Sequence, residues 1–321
     1  MNGKYDIELL VNVARMYYID GLKQDEIAKR VNVSRSLISL ILTKAKEQGI
    51  VDIKINDPRS NNEELAGELK WRFNLQAAYV VPTSIKEQDF RLDLAVRKGI
   101  EVFNGAVKPG YTIGISWGKT IFSFMTEYRS DTVVEGLEIV PLVGATNRSL
   151  QRYQMNEVVR QFAEKVNGTA RFIHAPILPA TKKDRALYAD SSELKSIAAR
   201  WNDVDIALFS IAAPPRQYSD NIAESIERGE EFTEKLAESA VGDICAWFFD
   251  ADGNFIRDEI AELTIAIPVE SLRKAKTKIA VVSGDHKIRS IIAGLKTELV
   301  DILVIDETTA RSVVQKLAAP D

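Results

Sequence analysis

The stretch GISWGKT, residues 114–120, decides how the chain is read. It closes on Gly-Lys-Thr, as a phosphate-binding P-loop does, but that loop needs four residues between its first glycine and the Gly-Lys-Thr. Here three residues separate Gly114 from Gly118, and Ile113 stands where the first glycine belongs. A loop one residue short does not wrap a β-phosphate in the P-loop manner. What the stretch specifies is a strand ending in small residues, then a helix over about 119–128. Backbone N–H groups at such a helix start hold anions.

Outward from this unit, apolar runs of strand length recur: AAYVV, TIGIS, LEIVPLV, ARFIHAP, VDIALFSI, ICAWFF, KIAVVSG and DILVID. Helical stretches intervene, DRALYADSSELKSIAARW among them. Strands alternating with helices predict an α/β unit with a mostly parallel sheet and helices on both faces. NNEELAGELKWRF reads as its opening helix, with Leu65, Leu69 and Trp71 turned to the core. No internal repeat or low-complexity segment stands out.

Residues 6–55 carry a separate pattern. DIELLVNVARMYYIDG places Leu9, Leu10, Val13, Met16 and Tyr17 at helical spacing, and Gly21 ends that helix. In QDEIAKRVNVSRSLISLILTKAKEQG a short helix holds Ile27, Ala28 and Val31. A turn at Asn32–Val33 follows, and Ser34 caps a second helix containing Ile38 and Ile41. Asn32 tolerates the left-handed conformation and Ala28 lets two helices cross closely. This is a helix-turn-helix, with its second helix placed for the major groove. The candidate DNA-binding residues are Gln24, Ser34, Arg35, Ser36, Ser39 and Lys44. Short hydroxyls suit base edges and phosphates; Arg35 fits either a guanine or a phosphate. IVDIKIND alternates with period two, which predicts a short strand or wing before a linker near Pro58.

The 321 residues suffice for two domains: a helix-turn-helix domain over 1–57 and an effector and oligomerisation domain over 58–321. The net charge of −4 excludes a protein coated in basic surface but leaves room for a local DNA-binding patch. A single cysteine, Cys245, rules out an intramolecular disulfide framework. No apolar run approaches a membrane span and no signal segment is visible, so the expectation is a cytoplasmic protein with no membrane partner.

In α/β sheets ligands bind at the carboxyl ends of strands. Those ends offer Ser116, Trp117, Gly118, Lys119 and Thr120 from ISWGKT, and Gly144, Ala145, Thr146 and Asn147 from PLVGATN. VGDICAWFFD places Asp243 just before a strand, with Cys245 beside it, and VVSGDHK supplies Gly284, His286 and Lys287. Gln154 completes the candidate effector set. Together these make an anion site, a carboxylate for hydroxyls and a second cation. That suits a phosphorylated sugar or polyol.

The chain resembles the SorC family of bacterial transcriptional regulators. The resemblance rests on ARMYYIDGLKQDEIAKRVNVSRSLIS, GISWGKT, GDICAWFFDADGN, SGDHKIRSI and DILVIDETTA, and covers nearly the whole length. It implies a sensor domain related to the sugar-phosphate isomerase and coenzyme A transferase folds, binding a phosphosugar without turnover. It also implies dimers or tetramers on operator DNA, and repression relieved by the effector. By the family's pattern Ser116 to Thr120 contact phosphate, while Asp243, Cys245 and Lys287 contact the sugar. Two positions depart from that pattern: Leu40 stands where the family usually has arginine, and Val143 where several branches carry a basic residue. Valine neither neutralises a second phosphate nor forms an imine, so a bisphosphate or covalently held effector is not expected.

The competing reading is a sugar-phosphate isomerase-like enzyme with an appended DNA-binding domain. Isomerisation needs a general base; Asp243 and His286 are the candidates, and no clear acid–base pair accompanies them. His174 in RFIHAP reads as a buried histidine and Cys245 as core. Two histidines and one cysteine, scattered, give no metal site and no cofactor is expected. A third reading is a DNA-binding architectural protein with an inert scaffold, which the strand-end polar groups oppose.

Overall fold

The computed structural model describes residues 6–51, 53, 61–129, 133–145, 154–213, 236 and 238–318. Contacts divide the chain into two compact units, Met1–Pro58 and Arg59–Asp321.

The first unit is three helices, α1 (Ile7–Tyr18), α2 (Gln24–Arg30) and α3 (Arg35–Glu47). Their apolar faces meet in a core of Leu10, Val13, Ile27, Ala28, Ile38, Ile41, Leu42 and Ala45. The α2–α3 turn passes through Asn32 at φ 55°, and the Ser34 hydroxyl accepts from Leu37 N–H at 3.2 Å to start α3. Side-chain capping of that kind stabilises a helix by about 1 kcal/mol. The predicted wing over IVDIKIND falls largely outside the described residues. Ile50 and Val51 do not extend as a strand; Ile50 N–H closes on Ala45 O at 2.8 Å and both residues pack on the helical core.

In the second unit, α4 (Glu63–Arg72) precedes β1 (Ala77–Val81), and α5 (Gln88–Ala106) leads to β2 (Thr112–Ile115). Then come α6 (Lys119–Glu127), β3 (Glu138–Pro141), α7 (Met155–Lys165), β4 (Thr169–Ala170), α8 (Lys182–Asp190), α9 (Ser192–Trp201) and β5 (Ile206–Phe209). The later part holds β6 (Gly242–Ile244), β7 (Trp247–Phe249), α10 (Glu259–Leu263), α11 (Val269–Lys274), β8 (Thr277–Val282), α12 (Ile288–Lys296), β9 (Ile302–Asp306) and α13 (Glu307–Ala318). Seven strands form one parallel sheet in the order β1-β9-β8-β5-β2-β3-β4. Every residue of β2 and β5 is buried, so both faces of the sheet are covered. α5, α6 and α7 pack side by side as one group, and α4, α13 and α12 as another. Edge-on aromatic pairs tie the first group together, with Phe103–Phe124 centroids 5.9 Å apart and Tyr128–Phe162 5.0 Å.

The structure corrects several sequence expectations. ICAWFF is not a strand of the parallel sheet. Asp243 lies inside β6, which pairs antiparallel with β7 across a two-residue turn, Cys245–Ala246, at φ 51° and 66°. Both residues occupy the left-handed region that a tight hairpin of matching twist demands. ARFIHAP contributes only Ala170, the second residue of β4, and His174 within it is exposed, not buried. DRALYADSSELKSIAARW breaks into α8 and α9 at Ser191, whose hydroxyl accepts from Leu194 N–H at 3.2 Å. Trp71 is 81% exposed, whereas Leu65 and Leu69 of the same helix are buried. Trp71 sits two residues past Leu69, and α-helical spacing turns it off the packed stripe.

Candidate functional site

From β2 the chain winds outward to β3 and β4; from β5 it winds the other way, to β8 and β9. The two neighbours β2 and β5 therefore form the switch point, where loops diverge and leave a crevice beyond the strand ends. A cavity of about 190 Å³ opens there. Its walls come from Gln88, Asp89 and Leu92 of α5, residues 116–120, Ser210, Ala212, Ala213, Asp243, Cys245, Ser283, His286 and Lys287.

The two glycines of GISWGKT have different reasons to be there. A Cβ on Gly114 would stand 2.4 Å from Leu142 Cδ2, so this glycine lets β2 and β3 pack and takes no part in the cavity. Gly118 adopts φ 104° directly before α6, and nothing lies within 4 Å of where its Cβ would project. The start of α6 is thus open to the cavity, with its N–H donors and partial positive charge. Thr120 and Ser116 are buried beside it, and Ser210 Oγ is 3.5 Å from Thr120 Oγ1. Lys119 does not point into the cavity alone: its Nζ is 2.7 Å from Asp89 Oδ1 in an exposed ion pair between α6 and α5.

Asp243 sits opposite, 5% exposed. Its Oδ2 accepts from Ala246 N–H at 3.1 Å across the hairpin turn. Burial pushes its carboxyl up to about 6, opposed by that hydrogen bond and by the Lys287 charge. Among the described residues no donor reaches Oδ1. Burial brings the half-buried Lys287 ammonium down to about 8, with Asp243 opposing and Lys119 assisting. Near neutral pH the pair is thus a carboxylate and a cation held in poor solvation, which a polar ligand would complete. The Cys245 thiol, pushed up to about 12 by burial with the neighbouring Ser116 opposing, is no nucleophile at neutral pH. Burial lowers His286 to about 4, leaving the imidazole neutral.

Behind this wall lies a buried polar network absent from the sequence reading. Arg91 Nη2 donates to Gln88 Oε1 at 2.7 Å and to Asp285 Oδ2 at 2.9 Å. Gln88 Nε2 donates to Ser283 Oγ at 3.1 Å, which donates in turn to Asp306 Oδ2 at 2.7 Å. Since arginine only donates, it fixes the amide with its nitrogen toward Ser283.

The structure brings Ser116, Trp117, Gly118, Lys119, Thr120, Asp243, Cys245 and Lys287 to one cavity. It does not bring Gly144, Ala145 or Gln154 to that lining. Gly144 N–H bonds to Ile265 O, and Ala145 exchanges backbone bonds with Ala175 and Ile177, so both are spent on ladder pairing. Gln154 precedes α7. Asn147 and Thr146 lie outside the described residues. Sequence reasoning missed Gln88, Asp89, Ser210 and Ser283. Ser210 and Ser283 directly follow apolar runs, as Ser116 does, and that rule would have found them.

In the first unit Ser34, Arg35, Ser36 and Ser39 are exposed, and Gln24 and Lys44 half-buried. Arg35 Nε is 3.6 Å from Asp25 Oδ1, and Lys44 pairs with Glu47. Leu40 is exposed among them at 43%. Among the described residues no cluster of three His, Cys, Asp or Glu could hold a metal, and no helix is long and apolar enough to cross a membrane.

The family model described as "Putative sugar-binding domain" matches residues 57–315. The Deoxyribonucleoside regulator of Bacillus subtilis is 30% identical over 313 residues, covering 97% of this chain and 98% of the relative. The chain belongs to the SorC family of sugar-binding transcriptional regulators. Within that family the Sorbitol operon regulator of Klebsiella pneumoniae is 28% identical, with 97% and 98% covered. The crystal structure of full-length SorC from Klebsiella pneumoniae superposes on this SorC-family chain with a TM-score of 0.77 at 27% identity, covering 97% of this chain and all of that one.

Proposed function

We propose that this SorC-family regulator is a repressor of a carbohydrate-utilisation operon, released from its operator by a phosphorylated sugar or polyol. Residues 1–57 read DNA through Ser34, Arg35, Ser36, Ser39 and Lys44, with Gln24 at the start of α2. Residues 58–321 bind the effector and hold the dimer or tetramer together. The observation that carries the reading is the cavity beyond β2 and β5. An open helix start at Gly118, with the Ser116 and Thr120 hydroxyls, faces a buried carboxylate, Asp243, and a half-buried cation, Lys287, across about 190 Å³. The first group suits a phosphate and the second suits hydroxyls.

A thermal-shift screen of phosphorylated sugars and polyols finds the ligand, because binding to the folded state raises apparent stability. Titration of the best hit and its dephosphorylated form by calorimetry then tests the assignment, with Thr120→Val alongside. Tighter binding of the phosphate ester, weakened in Thr120→Val, and loss of operator retardation on adding it are expected. Equal affinity for both forms would refute the phosphate site.

One observation favours a second reading: a carboxyl pushed up to about 6 inside a cavity can act as a general base for aldose–ketose isomerisation. The neutral His286 and the relatives' names as regulators weigh against it. NMR of sugar phosphates incubated in D2O with the protein, followed for deuterium exchange beside the carbonyl, decides between them.

A further inference from the structure

Asp89 and Lys119 stand at the mouth of the same cavity, on the first turns of α5 and α6, with Oδ1 and Nζ 2.7 Å apart. Both side chains are largely exposed, 68% and 48%. The pair is therefore weak, since exposed ion pairs are screened and lose side-chain entropy. It nonetheless occupies the one lysine that begins α6, where an incoming anion would land. A second feature of the cavity points to a ligand independently of that helix start: Asp243 is 5% exposed, and among the described residues no donor reaches its Oδ1.

We propose that Asp89 is a built-in competitor for the effector's anionic group, holding Lys119 until a dianionic phosphate displaces it. The inference rests on the phosphate reading above and adds to it what sets the affinity and selectivity of that site. A phosphate dianion brings more charge and three acceptor oxygens, and it draws on the N–H donors of α6 that a side chain rooted on α5 leaves open. A neutral sugar hydroxyl has no charge with which to take Lys119 from a carboxylate. Asp89 thereby lowers affinity for anionic ligands that need Lys119 and leaves neutral sugars, which do not displace it, nearly unaffected. Its residual negative charge, moved only as far as α5 allows, also repels the bound anion.

The test uses the full-length protein and inorganic phosphate as probe, by calorimetry at pH 7.5 and low ionic strength. Asp89→Asn removes the charge and keeps the shape; Asp89→Glu keeps the charge. The expected result is a phosphate affinity at least about threefold higher in Asp89→Asn, with Asp89→Glu close to wild type and melting temperatures alike. If wild type binds phosphate and Asp89→Asn binds it equally or more weakly, Asp89 is no competitor. If neither wild type nor Asp89→Asn binds phosphate, the phosphate reading itself falls, and this inference with it.

Discussion

Arg91 Nη1 lies 3.3 Å from Asp306 Oδ1, with the arginine 2% exposed and the aspartate fully buried. Asp306 is also bonded by Ser283 Oγ and by the backbone N–H and hydroxyl of Thr309, so its carboxylate is well satisfied. The pair joins α5 to the end of β9 and anchors Gln88 and Ser283, two residues of the cavity wall. Removing one member of a buried pair strands the other charge, at a cost of about 3–5 kcal/mol. Asp306→Ala is expected to lose at most that much stability in urea unfolding, because Arg91 keeps its pair with Asp285. The double change Arg91→Met with Asp306→Leu is expected to recover a large part of it.

Asp243 makes the stability of the protein depend on pH in a stated direction. Its carboxyl is pushed up to about 6 in the folded state, from 3.8. The folded state therefore holds the proton more tightly, and its contribution is full below about pH 4 and lost as pH rises through about 6. Above pH 6 the folded chain carries a carboxylate it would rather not bury. Asp243→Asn removes that burden, so the variant is expected to exceed wild type by about 1–3 kcal/mol at pH 7.5. The gap should narrow toward pH 4. Denaturant melts of both proteins across pH 4–8 measure it, and the same variant is expected to lose effector binding.

Lys287 has the opposite sign. Its ammonium is brought down to about 8, so the stability it contributes is present above its ordinary value of 10.5 and is lost as pH falls to about 8. Lys287→Met is expected to stabilise the ligand-free protein at pH 7 and to erase the rise in stability between pH 8 and 10. Thermal midpoints over that range check it.

The Cys245–Ala246 turn holds two non-glycine residues in the left-handed region. Relief at the second position by Ala246→Gly is expected to raise stability by up to ~1 kcal/mol, because the steric cost exceeds the entropic penalty of glycine. An unchanged or lower midpoint in thermal unfolding would show that the turn is unstrained.

On the DNA side, Arg35→Ala is expected to reduce discrimination between operator and random duplex by about 1–3 kcal/mol. Lys44→Ala should weaken both alike and flatten the salt slope. An unchanged specificity ratio in Arg35→Ala would make Arg35 a backbone anchor. Titrations at matched salt concentrations provide both numbers.

The sequence made some of this legible for physical reasons. The turn at Asn32, the cap at Ser34 and the core of α1–α3 follow from local rules that need no distant partner. The strand-end rule reached Gly118, Thr120 and Lys287 because apolar runs mark where parallel strands stop. It also named Gly144 and Ala145, which do not line this cavity, because a strand end also serves backbone pairing, here with Ala175, Ile177 and Ile265. ICAWFF misled because a buried hairpin is as apolar as a buried parallel strand; only the left-handed pair at its centre tells them apart. Asp89 was out of reach, since it is an ordinary acidic residue in the first turn of a helix, and its meeting with Lys119 spans 30 residues.

The β6–β7 hairpin pairs with no strand of the seven-stranded sheet; a backbone bridge from Asp243 to Ala212 links it to the segment after β5, and Ile244 and Phe249 lie in the same hydrophobic core. The carboxylate it carries is thus mounted on a bracket of its own, set against the core. A substitution at Asp243 itself breaks no strand pairing of the main sheet. In the proposed effector site, preference and scaffold would then be separately adjustable: a change at position 243 would alter what the cavity favours while the seven strands keep their pairing.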